Sequence, residues 1–187
     1  MVHTCLFTMN IPIETIRKCK RCDPSAQKSV YETLMPYLNG ICRRYLFNES
    51  LKGDALQESF IKIFTKIDQF EEERGAFKSW ATKITINTCL QMGKKASSRN
   101  EIPLTPAEYQ IPISPEIIAR LGNEEILKIL SNMPVDFFHV FNLFIVDGFS
   151  HDEIGEMLGI NAALSRKRLA RARDWIARRT ELKSMIS

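Results

Sequence analysis

The sequence predicts an all-α protein with two small helical domains, which a proline-rich linker joins. Apolar residues recur at the spacing of amphipathic helices in both halves of the 187-residue chain. Neither half shows the sustained polar–apolar alternation that is typical of β-hairpins. Four of the eight prolines fall between residues 99 and 121, where they disfavour helix. We therefore expect domains over residues 17–98 and 122–182, with the linker at residues 99–121.

The N-terminal domain is expected to be a bundle of three to four helices around one core. Helices are predicted over residues 24–47, 53–70 and 76–95, and a polar loop separates the last two. Their apolar residues follow one another mostly at helical steps, which places them on one face of each helix. The predicted core residues are Val30, Leu34, Leu38, Ile41, Tyr45, Leu56, Phe60, Ile63, Phe64, Ile67, Phe70, Phe77, Trp80, Ala81, Ile84 and Thr88.

The C-terminal domain is expected to hold four shorter helices, the last two of which form a helix-turn-helix. The first covers residues 123–132, and the second, very apolar helix covers residues 135–146 and stops before Gly148. A capping box then begins the third helix, because the Ser150 hydroxyl and the Glu153 side chain can satisfy each other's backbone amides. Gly159 suits the left-handed end of that helix, and Asn161 can cap the next. A short helix, a tight glycine turn and a longer basic helix are typical of DNA-reading units.

The last helix is predicted to have one buried face and one basic face. Residues 122–160 carry one basic and seven acidic side chains, whereas residues 161–187 carry eight basic and two acidic ones. This abrupt change of sign favours a surface for a polyanion, although a solvated basic helix is the alternative. The buried face is expected to hold Ser165, Leu169, Ala172 and Ile176. The opposite side holds Ala163, Leu164, Lys167, Arg171 and Arg178, with Arg166, Arg168 and Arg173 at its flanks.

Other classes of function find little support in the sequence. Cys19 and Cys22 have zinc-like spacing, but no second pair or histidine cluster completes a site, so we expect no metal and no cofactor. We find no phosphate-binding loop and no nucleophile arrangement, and therefore predict no catalytic residues and no enzyme. No apolar run reaches the length of a membrane span and no signal peptide is evident. We expect a cytoplasmic, nucleoid-associated protein without membrane insertion.

Two sets of motifs carry a family resemblance. Gly148-Phe-Ser-His-Asp-Glu-Ile-Gly-Glu-Met-Leu-Gly-Ile-Asn and Ser165-Arg-Lys-Arg-Leu-Ala-Arg-Ala-Arg resemble region 4 of sigma-70 family RNA polymerase factors, most closely the extracytoplasmic-function (ECF) subgroup. Asp54-Ala-Leu-Gln-Glu-Ser-Phe-Ile-Lys-Ile-Phe, Ile67-Asp-Gln-Phe and Phe77-Lys-Ser-Trp-Ala-Thr-Lys-Ile-Thr-Ile-Asn-Thr resemble region 2. The resemblance covers residues 17–98 and 122–180, and it implies a sigma factor that binds core RNA polymerase and directs transcription initiation.

The resemblance to region 2 implies two binding surfaces. One helix would bind the clamp of the polymerase large subunit, and the third helix would face the −10 promoter element. The loop at residues 71–78 would hold an unstacked base of the melted strand, while Phe77 and Trp80 are expected in the core. The residues expected to contact core polymerase are Asp54, Gln57, Glu58 and Ile61. Those expected to contact DNA are Arg74, Lys78, Lys83, Asn87, Gln91 and Lys94, of which the last four form one polar stripe.

The resemblance to region 4 implies recognition of the −35 element by the last helix. Ala163 and Leu164 stand where the family often has Gly-Thr. The apolar helix around Phe137, Phe138 and Phe141 would rest against the flap of the other large subunit. An anti-sigma factor is a further expected partner, beside core polymerase and promoter DNA. The residues expected to contact the −35 element are Ala163, Leu164, Arg166, Lys167, Arg168 and Arg171.

Two other classes of function remain as alternatives. A stand-alone helix-turn-helix transcriptional regulator would account for the C-terminal domain but not for the motifs of the N-terminal one. An enzyme would need a site that these residues do not suggest. The leading prediction is therefore a polymerase subunit with two DNA-reading domains.

Overall fold

The protein is helical throughout the part of the chain that the structure describes. The structure is a computed structural model and describes the backbone of residues 11–46, 48–98 and 132–184. The expected linker and residues 123–131 of the predicted helix at residues 123–132 lie outside these ranges. The helices are α1 (Ile13–Lys20), α2 (Pro24–Tyr45), α3 (Glu49–Thr65), α4 (Phe77–Ser98), α5 (Val135–Phe141), α6 (His151–Leu158) and α7 (Ala162–Ser184), with 3₁₀ turns at Ile67–Gln69 and Glu72–Arg74 and a π-helical turn at Asn142–Val146.

Helices α2, α3 and α4 form the N-terminal bundle, with the apolar faces predicted from the sequence turned inward. Val30, Leu34 and Leu38 of α2 are completely buried, and Ile63 of α3 is equally covered. Helix α2 begins where predicted, because the Asp23 carboxylate accepts a hydrogen bond from the Ala26 amide at 2.8 Å. The helical spacing of apolar residues therefore identified the core of this half correctly.

In the N-terminal half, the predicted bounds of one helix are wrong, and one helix was not predicted. Helix α3 begins at Glu49 rather than Gly53, because the Asn48 side chain accepts the Ser50 amide at 2.9 Å. It ends at Thr65, and the chain then enters a 3₁₀ turn that still buries Ile67. The sequence also gave no indication of α1, whose Ile16 and Cys19 are buried in the core. An eight-residue helix carries too few apolar positions to show a period.

The C-terminal half packs α5, α6 and α7 together, and the predicted helix at residues 135–146 is divided. Its second part is a π-helical turn, in which the Asp147 amide reaches back five residues to the Asn142 carbonyl at 2.9 Å. The buried Asn142 side chain donates to the Phe138 carbonyl at 3.0 Å. This wider turn places Asp147 against the N-terminal half. Within the described ranges, no helix combines the length and apolar character needed to cross a membrane.

Candidate nucleic-acid interface

The helix-turn-helix has the local geometry that its sequence predicts. The Ser150 amide donates to Glu153 Oε2 at 3.0 Å and the Glu153 amide donates to the Ser150 hydroxyl at 3.3 Å, which confirms the capping box. Gly159 ends α6 in the left-handed region with φ 70° and ψ 37°. Asn161 Oδ1 accepts the Leu164 amide at 2.7 Å and so caps α7. These bonds fix the angle at which α7 leaves the turn.

A second glycine of this motif was not recognised in the sequence. Gly155 lies on α6, where the turn folds back onto the helix. A Cβ atom at this position would lie 2.7 Å from the backbone carbonyl oxygen of Ile160. Only glycine therefore allows the turn to approach α6 this closely.

The faces of α7 are those that the sequence predicts, with one difference. Ser165, Leu169 and Ala172 are buried, and Ile176 is half-buried. Arg168, which was expected to contact DNA, is only 20% exposed and its guanidinium lies 2.6 Å from Asp136 Oδ2 on α5. The other predicted contacts, Ala163, Leu164, Arg166, Lys167 and Arg171, all face solvent.

His151 joins the two helices of the motif, a role that the sequence did not reveal. Its Nδ1 lies 2.9 Å from the Ser165 hydroxyl, and its ring stacks on Phe144 with centroids 4.5 Å apart. Desolvation and the nearby Arg166 lower the pKa of His151. The imidazole is therefore expected to be neutral near pH 7, with one ring nitrogen bonded to the recognition helix.

The apolar surface of α5 is less accessible than expected. Phe138 and Phe141, which were expected to rest against a partner, are 1% and 5% exposed, in a half where α5 packs against α7. That expectation is wrong for these two residues. Phe137 is half-buried and still reaches the surface.

The polar stripe of α4 is partly covered by α6. Lys83 Nζ lies 3.5 Å from Glu153 Oε1, and the two side chains are each less than half exposed. Asn87 is half-buried, whereas Gln91 and Lys94 are exposed. Gln91 and Lys94 also line a cavity of about 570 Å³ between the two halves, whose other wall includes Met157 and Ile160. The stripe predicted to face the −10 element is thus adjacent to the helix-turn-helix.

The loop before α4 combines exposed charge with an aromatic cluster. Arg74 pairs with Glu71 at 2.7 Å and remains highly exposed. The Lys78 ammonium lies 4.1 Å from the centroid of the Tyr37 ring, a cation–π contact. Phe77 is buried against Phe70, as expected for a core residue. Trp80 packs on both rings and is half-buried.

The four residues expected to bind a protein partner lie together on α3. Asp54 and Gln57 are exposed, Glu58 forms an ion pair with Lys62 at 3.4 Å, and Ile61 is 53% exposed. With Met92 of α4 they line a shallow groove of about 530 Å³. An exposed isoleucine bordered by polar groups is a suitable surface for a protein contact.

A buried polar cluster connects the two halves. The Asp147 carboxylate pairs with the Arg44 guanidinium and accepts a hydrogen bond from the Tyr45 hydroxyl at 2.5 Å. The side chains of Arg44 and Asp147 are 9% and 6% exposed. Burial raises the pKa of Asp147, although Arg44 opposes the shift. Burial also lowers the pKa of the neighbouring His139 to about 4.

Most of the described cysteines lie in the core. Cys19, Cys42 and Cys89 are buried and Cys22 is exposed. The sulfur atoms of Cys42 and Cys89 lie 3.7 Å apart between α2 and α4. Among the described residues, no three His, Cys, Asp or Glu side chains gather as a metal site requires.

Comparison with known protein families matches each half of the chain to a family model. Residues 30–99 match the family model Sigma-70 region 2, and residues 123–176 match Sigma-70, region 4. The ECF RNA polymerase sigma factor SigE of Mycolicibacterium smegmatis is 28% identical over 162 residues, which are 81% of this chain and 62% of that protein. SigW of Bacillus subtilis is 27% identical over 172 residues, covering 85% and 91% of the two chains. The chain thus spans less than two thirds of the mycobacterial relative.

Solved structures show a similar fold. CnrH in complex with the cytosolic domain of CnrY superimposes with a TM-score of 0.54 at 18% identity, over 90% of this chain and 96% of that one. RpoE of Bartonella quintana, in complex with the anti-sigma factor NepR, gives a TM-score of 0.54 at 20% identity, over 82% and 96%. At these identities the likeness concerns the fold.

Proposed function

The chain belongs to the sigma-70 family, in its ECF group, and on that premise we propose that it binds core RNA polymerase and directs it to promoters. One observation carries the proposal. The chain carries a basic helix-turn-helix and a second helical domain, which has its own polar stripe and partner groove. The two domains follow each other in the order that the family has. In this role the chain binds core polymerase and positions it on chromosomal DNA in the cytoplasm. It contributes no catalysis of its own.

The helix-turn-helix is proposed to read the −35 element. The N-terminal end of such a helix enters the major groove, where Lys and Arg contact guanine edges and phosphates. Arg168 must leave Asp136 before it can contact DNA, so its contribution is expected to be smaller. The proposed reading residues are Ala163, Leu164, Arg166, Lys167 and Arg171.

The N-terminal domain is proposed to bind the −10 element and core polymerase. The stripe of Lys83, Asn87, Gln91 and Lys94 offers cations and amides for phosphates and a base edge. Arg74 and Lys78 border the loop that would accept an unstacked base, and stacking contributes about 1–3 kcal/mol per base. The groove lined by Asp54, Gln57, Glu58 and Ile61 of α3, which Gln91 and Met92 of α4 border, is proposed to receive the clamp. Phe137 is the residue of α5 that can reach the flap.

We also propose that an anti-sigma factor binds this chain, as one binds the Bartonella RpoE. A stand-alone regulator remains the weaker alternative, since it leaves the α3 groove without a role.

The test combines purified chain with core polymerase. We expect the two to co-elute in gel filtration, and the complex to start transcripts at discrete positions on a library of genomic fragments. Mapped start sites should share sequence near positions −10 and −35. A chain that binds DNA tightly as a dimer and does not bind core polymerase would support the regulator instead.

A further inference from the structure

The first three residues of the recognition helix α7 are apolar. Asn161 caps the helix, Ala162, Ala163 and Leu164 follow, and the first cation is Arg166. The N-terminal end of such a helix is the part that contacts base edges. In this chain the first turn therefore cannot read a base through a side-chain hydrogen bond.

Leu164 is held outward by the contacts of its neighbours. Its own amide donates to Asn161 Oδ1 at 2.7 Å. The adjacent Ser165 is buried, with its hydroxyl 2.9 Å from His151 Nδ1. Leu164 itself is 36% exposed. A single exposed leucine is common on a protein surface, so the informative property of Leu164 is its position at the reading end of α7.

Leu164 shares one stripe of α7 with two of the cations that are proposed to contact DNA. Leu164, Lys167 and Arg171 are separated by three and four positions, which places them on the same side of a helix, and all three are exposed. When Lys167 and Arg171 meet phosphates or guanine edges, the leucine on their stripe also faces the groove.

An apolar side chain has one matching partner in the major groove. The base pairs present hydrogen-bond donors and acceptors there, and thymine adds its C5 methyl group. A leucine placed against a donor or acceptor would remove that group from water without replacing its hydrogen bond, which is unfavourable. The same side chain thus favours thymine and disfavours the other bases.

We propose that Leu164 contacts the methyl group of a thymine in the −35 element and makes thymine the preferred base at that position. This inference rests on the proposed function, and it names the base that the first turn of the recognition helix selects. Because the contact involves only a methyl group, it can be removed from the DNA without a change in base pairing.

The first experiment removes the methyl group. The probe is a duplex promoter found by transcription of the genomic fragments, in which each thymine of the −35 element is replaced in turn by deoxyuridine. Competition with the unmodified duplex measures the affinity for core polymerase loaded with the chain. We expect one such replacement to weaken binding by wild type about four-fold, as loss of one buried methyl-sized group does. The same replacement should have no effect with Leu164→Ala.

Ile145→Ala is the matched control, because it truncates an apolar side chain of the same half that is 39% exposed and lies outside the helix-turn-helix. This variant should keep the full effect of deoxyuridine, and deoxyuridine between the two promoter elements should have no effect with any of the proteins. Circular dichroism checks that each variant is folded. Tolerance of deoxyuridine by wild type at every −35 thymine, which needs no variant, would overturn the proposal, as would an undiminished effect in Leu164→Ala.

The second experiment lets the protein choose the base. Core polymerase loaded with the chain selects duplexes from a pool in which the −35 element is randomised, and the bound fraction is sequenced. We expect wild type and Ile145→Ala to enrich thymine at one position, and Leu164→Ala to lose the enrichment at that position alone. No preference for thymine, or a loss of preference across the whole element, would contradict the role of Leu164. If wild type transcribes from the unmodified promoter but shows no thymine preference, only this inference fails; if it does not transcribe, the proposed function itself fails.

Discussion

Tyr45 donates a hydrogen bond from its hydroxyl to the Asp147 carboxylate at 2.5 Å, across 102 positions of the sequence. Both residues lie where one half of the chain meets the other. Burial, followed by the Asp147 charge, raises the pKa of Tyr45 well above its ordinary value. The hydroxyl therefore remains a donor throughout the physiological range, and Asp147 is held by Tyr45 and Arg44 together.

Replacement of Tyr45 by Phe is expected to destabilise the protein. It leaves a buried carboxylate oxygen without its hydroxyl donor, at a cost of about 1–3 kcal/mol in the free energy of unfolding. Chemical denaturation followed by circular dichroism measures the change. Tyr31→Phe is the control, since Tyr31 is 43% exposed, and should change stability by less than about 0.5 kcal/mol. Equal effects of the two replacements would show that the Tyr45 hydroxyl has no special role.

Stability should fall as the pH is lowered from about 6.5 toward 4. Burial lowers the pKa of His139 from 6.5 to about 4, so in this range the unfolded chain binds a proton that the folded chain does not. Each unit of such a shift corresponds to about 1.4 kcal/mol. The lowered pKa of His151 acts in the same sense. The raised pKa of Asp147 acts in the opposite sense, because there the folded state retains the proton.

His139→Gln removes one of these titrations. We expect its unfolding free energy to change less than that of wild type between pH 7 and pH 5, as urea denaturation at several pH values would measure. If the unfolding free energy of this variant changed with pH as steeply as that of wild type, groups other than His139 would account for the pH dependence.

The glycine at position 155 should not tolerate a methyl group. The new Cβ would meet the Ile160 carbonyl at 2.7 Å, and we expect Gly155→Ala to destabilise the C-terminal half by about 1–3 kcal/mol. Gly40→Ala is a matched control inside α2, where a Cβ meets nothing within 4 Å, and should be neutral or stabilising by up to about 1 kcal/mol. Thermal denaturation compares the two, and a neutral Gly155→Ala would contradict the close approach.

Promoter affinity should depend on the outer face of α7. Lys167→Ala with Arg171→Ala is expected to weaken −35 binding and to reduce the slope of log affinity against log salt by about 2. Arg173→Ala with Arg178→Ala removes the same charge further along the helix and should have less effect. Co-elution with core polymerase should persist in both variants. Equal losses of DNA binding would mean that only the net charge of α7 matters.

Core binding should depend on Ile61. Because its side chain is 53% exposed, Ile61→Arg is expected to fold normally yet to bind core polymerase about ten-fold more weakly, since the interface would have to bury an added charge. Gln69→Arg adds the same side chain at an exposed position outside the groove. Competition for core polymerase measures both. An unaffected Ile61→Arg variant would remove the groove from the proposed interface.

The sequence was sufficient to predict the features that depend only on residues close together in the chain. Helical spacing identified the buried faces of α2 and α7, and the Ser150–Glu153 capping box could be recognised over four residues. Contacts between distant residues were not predictable in this way. The pairing of Arg168 with Asp136 and of Arg44 with Asp147 depends on how helices pack, and a charged residue on a helix gives no local sign of its partner. Residues 135–146 read as one helix because a π turn keeps nearly the same apolar pattern.

Promoter-dependent transcription by core polymerase, with and without the chain, tests the central claim most directly. A run-off template carries a promoter found among the genomic fragments, and an otherwise identical template has both elements replaced. The account predicts a discrete run-off product only when core polymerase, the chain and the intact promoter are present together. Absence of that product, with the chain bound to DNA but not to core polymerase, would contradict it.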